Sequence, residues 1–227
     1  MSAKIVAIEG IDGSGKGTQS KRLVDSLNAS GRKTTLLSFP RYSDTRFGAA
    51  IGDFLNGRFG ALDEVSPFLA SVLYAGDRFE SKQLIEAAVR DGDFLVFDRY
   101  TASNIAHQGA KVSGDERTEI IEWIEGIEHE VFGLPRADVT LLLDVSVELS
   151  QKLIRKKAAR DYTDQAADMQ EADVGYMRGV RDTYHELAKR DNWRLISCET
   201  AGDVRSLDEI AAEVMDCLLY TSPSPRD

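Results

Sequence analysis

The sequence predicts an α/β fold of three layers, α/β/α, around a five-stranded parallel sheet. Three observations predict it. Short β-branched or apolar runs recur at 5–8, 34–39, 94–97, 139–143 and 193–197. Longer stretches of helical periodicity separate them, as crossovers between parallel strands require. The runs themselves alternate poorly with polar residues, the pattern of strands covered on both faces.

Taken in order, Lys4-Ile-Val-Ala-Ile-Glu9 reads as the first strand, and a glycine-rich turn then opens a helix over 16–29. The second strand, 34–39, is followed by a helix over 45–56. A single long helix is predicted over 67–90, with Pro67 pre-set for its first turn. The strand at 94–97 ends in Asp98-Arg99-Tyr100, and the next helix is placed at 115–131. The strand at 139–143 leads to a helix over 146–159, another over 168–190, the last strand at 193–197 and a closing helix over 206–219. No internal repeat is visible. Residues 220–227 carry two prolines and no apolar periodicity, so a disordered tail or a cloning scar is expected there, after one domain spanning 1–219.

The 227 residues can bury a full core without a second domain. With 28 Lys and Arg against 38 Asp and Glu, the formal charge is −10. Such a balance speaks against a nucleic-acid binder, which needs a basic face, so an anionic ligand must meet local cations. Cys198 and Cys217 have no paired metal or redox spacing, which suits a reduced compartment. The opening run is too short for a signal peptide or membrane span, and a cytoplasmic location is expected, with no membrane partner.

The strongest local signal is Gly10-Ile11-Asp12-Gly13-Ser14-Gly15-Lys16-Gly17-Thr18, between a predicted strand and a predicted helix. Glycines let successive N–H groups converge on phosphate oxygens, the helix N-terminus adds positive charge, and Lys16 brings a full charge to the β- and γ-phosphates. These nine residues form the expected ATP site. Gly17 stands where many P-loop proteins place a metal-ligating hydroxyl, and Thr18 comes one residue later. Mg²⁺ is therefore expected to be held mostly through waters.

Ligands of open α/β sheets sit at the carboxyl ends of the strands, which directs Asp98 and Arg99 to the site. A carboxylate there can organise Mg²⁺ or its waters, and a guanidinium can grip a phosphate through two bonds. The stretch Asp98-Arg-Tyr-Thr-Ala-Ser-Asn104-Ile-Ala-His107-Gln108 resembles the Asp-Arg-aromatic signature of the thymidylate kinase family, with His107 where Tyr or Phe is usual. Phe39-Pro40-Arg41, the Gly48…Ile51…Leu55 helix and Tyr74…Arg78 extend the resemblance, which runs to Leu219.

The resemblance implies a P-loop kinase with a short lid at about 153–166. It implies transfer of the γ-phosphoryl of ATP to dTMP, with Mg²⁺ and as a homodimer; a kinase for another nucleoside monophosphate or a deoxynucleoside is the alternative. Asp12, Phe39, Arg41, Tyr74, Arg78, Arg99, Asn104, Gln108 and Tyr162 are then the expected dTMP contacts. Asp12 would touch the sugar, Tyr74 would stack on the base and Arg78 would donate to it. On periodicity alone Tyr74 reads as a core aromatic. Asn104 and Gln108 carry amides able to read a pyrimidine edge.

The densest basic run, Arg155-Lys156-Lys157…Arg160, matches the family's lid. Because Gly13 occupies the phosphate-loop position where some members carry an arginine, the resemblance implies catalytic arginines from the lid. Arg155 and Arg160 are the candidates beside Lys16 and Arg99, and spacing does not choose among the four lid cations. Phosphoryl transfer needs in-line positioning and charge neutralisation, so no protein nucleophile is expected.

Overall fold

The computed structural model describes residues 2–61, 64–155 and 173–220, residues 219 and 220 by backbone alone. Five parallel strands, β1 (Lys4–Glu9), β2 (Thr34–Ser38), β3 (Phe94–Asp98), β4 (Val139–Asp144) and β5 (Trp193–Ser197), form a sheet in the order β2-β3-β1-β4-β5. Residues alternate between its faces. Val6, Ile8, Val96, Leu141 and Leu143 pack into one apolar core, and Ile5, Ala7, Leu95 and Phe97 into another on the opposite side. Burial on both sides explains why these runs lack polar alternation. The outermost strand β5 departs from this, exposing Arg194, Leu195 and Ser197.

Helices α1 (Lys16–Ala29), α2 (Arg46–Leu55), α3 (Pro67–Glu80), α4 (Lys82–Asp91), α5 (Thr101–Gly109), α6 (Asp115–Glu125), α7 (Val147–Arg155), α8 (Val174–Leu187) and α9 (Leu207–Tyr220) are present among the described residues. The chain leaves β1 toward β2 on one side and continues from β3 to β4 on the other, so β1 sits at the switch point of the sheet. The turns after β1 and β3 open into one crevice there.

Three elements differ from expectation. The long helix over 67–90 is two helices, parted at Ser81, whose φ of −91° and ψ of 1° leave the helical range. Its hydroxyl donates to Asp77 O, offering the last turn of α3 a local alternative to continuing. Helix α5 falls in a stretch where none was expected. The segment 115–131 is α-helical only to Glu125 and then widens into a π-helical turn, Gly126–Val131, which turns Glu128 inward to complete burial. A small hairpin of Glu199–Thr200 and Asp203–Val204 precedes α9.

Candidate active site

Helix α1 begins directly at Lys16, with Gly15 before it at φ 90°. Gly10 approaches β4 so closely that a Cβ there would lie 2.5 Å from Leu143 O, so only glycine lets the loop close over the sheet. Lys16 is 6 % exposed and its Nζ donates to Ile11 O at 2.8 Å. Burial, with Arg99 beside it, pulls its pKa down to about 8, while Asp12 and Asp98 oppose the shift.

The turn after β3 places Arg99 at φ 66°, left-handed backbone that a non-glycine residue adopts only under constraint. That constraint is visible. Arg99 N donates to Ile8 O, and its guanidinium reaches Asp12 Oδ1 at 2.5 Å and Ser103 Oγ at 3.0 Å. Burial disfavours the Arg99 charge, but Asp12, Glu9 and Asp98 outweigh it and hold the pKa well above the ordinary value. Behind it, Glu9 is fully buried and its carboxylate accepts from Tyr100 N, Ser103 N, Ser103 Oγ and Tyr184 Oη. Burial pushes its pKa up against those donors.

Two contiguous cavities meet at Asp12, Phe39, Pro40, Tyr42 and Arg99. The larger, about 630 Å³, runs along residues 12–19 and Asp98 to a wall of Arg205, Leu207 and Ile210. The smaller, about 50 Å³, continues between Leu55, Tyr74, Arg78, Asn104 and His107. The deep end of the smaller cavity is held by a buried network. Arg78 Nε and Nη2 bind Glu128 at 2.6 and 2.5 Å, leaving Nη1 outside the pair. Asn104 Nδ2 donates to Ser71 O and Glu128 Oε1, which fixes the amide and leaves the buried Oδ1 without a partner. Burial pushes the Glu128 carboxyl up, yet Arg78 prevails and holds it below the usual carboxylate range.

Asp12, Phe39, Tyr74, Arg78, Arg99 and Asn104 thus converge on the smaller cavity, and residues 12–18 with Asp98 on the larger. Tyr74 also packs against the Ile51, Phe54 and Leu55 cluster, so its core reading and its site reading both hold. Arg41 lines neither cavity; its guanidinium bonds Ser81 and Asp44. Gln108 is wholly buried behind the wall, its amide atoms unpartnered. Arg155 is exposed at the end of α7, whose Leu153 and Ile154 line the larger cavity. Lys156, Lys157, Arg160 and Tyr162, with most of the expected lid, lie outside the described residues.

Sequence reasoning missed Glu9, Tyr42, Ser103, Glu128 and the wall at 205–210. Glu128 carries no local signal, since its partners lie 24 to 50 positions away.

From the end of β3, Asp98 faces the phosphate loop, its Oδ2 lying 3.1 Å from where a Cβ on Gly17 would stand. Among the described residues no group of three His, Cys, Asp or Glu could cage a metal. This donor set fits a Mg²⁺ that is held chiefly by nucleotide phosphates and waters.

A family model described as thymidylate kinase matches residues 8–208. A thymidylate kinase of Mycobacterium tuberculosis is 34% identical over 184 residues, covering 81% of this chain and 85% of the relative. The human thymidylate kinase is 29% identical over 214 residues, covering 91% and 90%. A solved structure of thymidylate kinase from Candida albicans shares the fold, with a TM-score of 0.71 at 22% identity over 96% of this chain and 92% of that one.

Proposed function

The chain belongs to the thymidylate kinase family, and from that premise we propose that its cleft moves the γ-phosphoryl of ATP onto dTMP, giving ADP and dTDP. The carrying observation is that Arg78, with one nitrogen outside its ion pair, and Asn104, with a partnerless Oδ1, line the same smaller cavity. A donor beside an acceptor matches the O4 and N3–H edge of thymine. Cytosine reverses both polarities, so each contact would become a repulsion. Arg99, at the mouth shared with the larger cavity, would then grip the acceptor phosphate.

Residues 10–18 hold ATP, with Lys16 on the transferring phosphate. Lys16 and Arg99 share the charge that develops during transfer, with lid cations, Arg155 or Arg160 first, completing the set. When bound, Mg²⁺ would neutralise phosphate charge, with Asp98 orienting its waters. The acceptor phosphate is already an anion, so no side chain need take up a proton. Residues 1–219 act as one catalytic domain with 153–166 as its lid, which excludes water from the transfer. A cytoplasmic homodimer is the expected setting; no described helix is long and apolar enough to cross a membrane.

The test is ADP formation from ATP and Mg²⁺ with dTMP, dUMP, dCMP, AMP, GMP, UMP and thymidine in parallel. Turnover chiefly with dTMP is expected. Preferred turnover of dCMP or AMP would overturn the roles of Arg78 and Asn104.

A further inference from the structure

A third cavity, of about 220 Å³, shares no lining residue with the catalytic cleft. It lies among the N-terminal half of α5, the π-helical turn, the approach to β4 and the start of β5, with Ala7, Ala102 and Ile105 as apolar wall. Its polar groups are unusual. Thr140 is the only polar residue in Val139-Thr-Leu-Leu-Leu143 and is 4 % exposed; its N donates to Asn192 O at 2.9 Å, whereas its hydroxyl makes no hydrogen bond among the described residues. Arg136 is exposed at the rim and likewise has no ion pair or hydrogen bond among the described residues.

Its charge reaches His129, whose pKa is held below the ordinary value by burial first and by Arg136 as well. His129 Nδ1 lies 2.9 Å from Leu134 O, an atom that can only accept, so Nδ1 carries the proton. Arg190 spends one nitrogen on Glu125 at 2.6 Å and faces the cavity beside Asn192 and Trp193. Glu125 offsets one guanidinium, and Glu9 at the inner end is occupied by four donors of its own. The two guanidiniums balance the two carboxylates in formal charge, but the carboxylate oxygens of Glu9 are already engaged and Glu125 is paired with Arg190, so the groups left to bind are donors: the Arg136 guanidinium, the remaining nitrogens of Arg190 and the Thr140 hydroxyl, against an apolar and aromatic wall.

We propose that this cavity is a second anion site, taking a small phosphorylated metabolite whose phosphate meets Arg136, Arg190 and Thr140 while its organic part lies against Ile105 and Trp193. Guanidinium forks suit phosphate oxygens, and the volume admits a phosphorylated sugar more readily than a nucleoside triphosphate.

The sequence has two tryptophans, and Trp123 packs against Phe68 away from this cavity. In a Trp123→Phe protein, Trp193 emission therefore reports the site. Inorganic phosphate and ribose 5-phosphate would be titrated separately, without ATP or dTMP. A saturable change with ribose 5-phosphate is expected, weakened about tenfold by Arg136→Gln, the loss of one charge-assisted contact. It should also persist in Lys16→Ala, which removes phosphate binding at the catalytic loop. Arg136→Gln alters an exposed side chain, and retained dTMP kinase turnover checks its fold; Arg190→Ala is a second variant. No saturable change with either probe, an affinity unaltered by Arg136→Gln and Arg190→Ala, or loss of the signal in Lys16→Ala would each overturn the proposal.

Discussion

Arg99 gathers at one residue the constraints that the site imposes. Its left-handed backbone reverses the chain after β3, Ile8 O fixes its amide, and Asp12 and Ser103 aim its guanidinium at the mouth of the acceptor cavity. A lysine could supply the charge but not the two-pronged geometry. Arg99→Lys should lower kcat/KM for dTMP about 100-fold, roughly 3 kcal/mol, while the Kd for ATP stays within about threefold. Steady-state kinetics and ATP titration measure the two, and equal loss of both ligands would contradict the assignment. The residue was legible because Asp98-Arg99-Tyr100 is contiguous and stands at a strand end. Ser103, which helps hold the guanidinium, was not singled out, since a lone serine carries no such mark.

At the scale of elements, close approach is decided by particular small residues. Helices α2 and α3 cross at Gly76, where a Cβ would sit 2.6 Å from the Phe47 ring. Gly76→Ala should cost about 1–3 kcal/mol through overpacking and, by pushing α2 outward, raise the KM for dTMP more than that for ATP. Denaturant unfolding and kinetics test both parts, and an unchanged stability would show that the crossing can relax.

Strands and the phosphate loop were readable because their signals are local: apolar runs, glycine spacing and a lysine. Helix α5 was not, since Thr101-Ala-Ser-Asn-Ile-Ala-His-Gln-Gly109 is poor in strong helix formers and its cap comes from elsewhere. Glu9, 91 positions back, accepts from Tyr100 N and also from Ser103 N. Glu9→Gln would set an amide N–H₂ against those donors, with an expected loss of about 1–3 kcal/mol and a higher KM for dTMP. A melting temperature equal to that of the parent would remove Glu9 from this role. The break at Ser81 was equally hidden, because serine interrupts a helix only in the rotamer that bonds its own carbonyls.

For the whole molecule, the parallel α/β/α class follows from the order of runs, whereas the strand order and the placement of buried charge follow only from the packed fold. His107 shows what that placement does to stability. Its ring is 6 % exposed and meets Tyr176, whose hydroxyl donates to His107 O; this leaves His107 Nδ1–H to donate to the Tyr176 oxygen at 3.1 Å. Burial, reinforced by Arg99, pushes its pKa down to about 3, against about 6.5 for an exposed histidine. Between those values the unfolded chain binds a proton that the folded chain does not. Stability from this group is therefore complete above about pH 6.5 and declines by up to about 1.4 kcal/mol per pH unit as pH falls toward 3. His107→Phe removes the proton site while keeping an aromatic ring in the wall. Chemical denaturation at pH 7.5, 6 and 5 should show the parent losing stability more steeply than the variant, and NMR should find the His107 imidazole untitrated throughout that range. Parallel slopes, or a His107 resonance titrating near pH 6.5, would mean that the ring is open to water and that the acceptor cavity is wetter than its packing indicates.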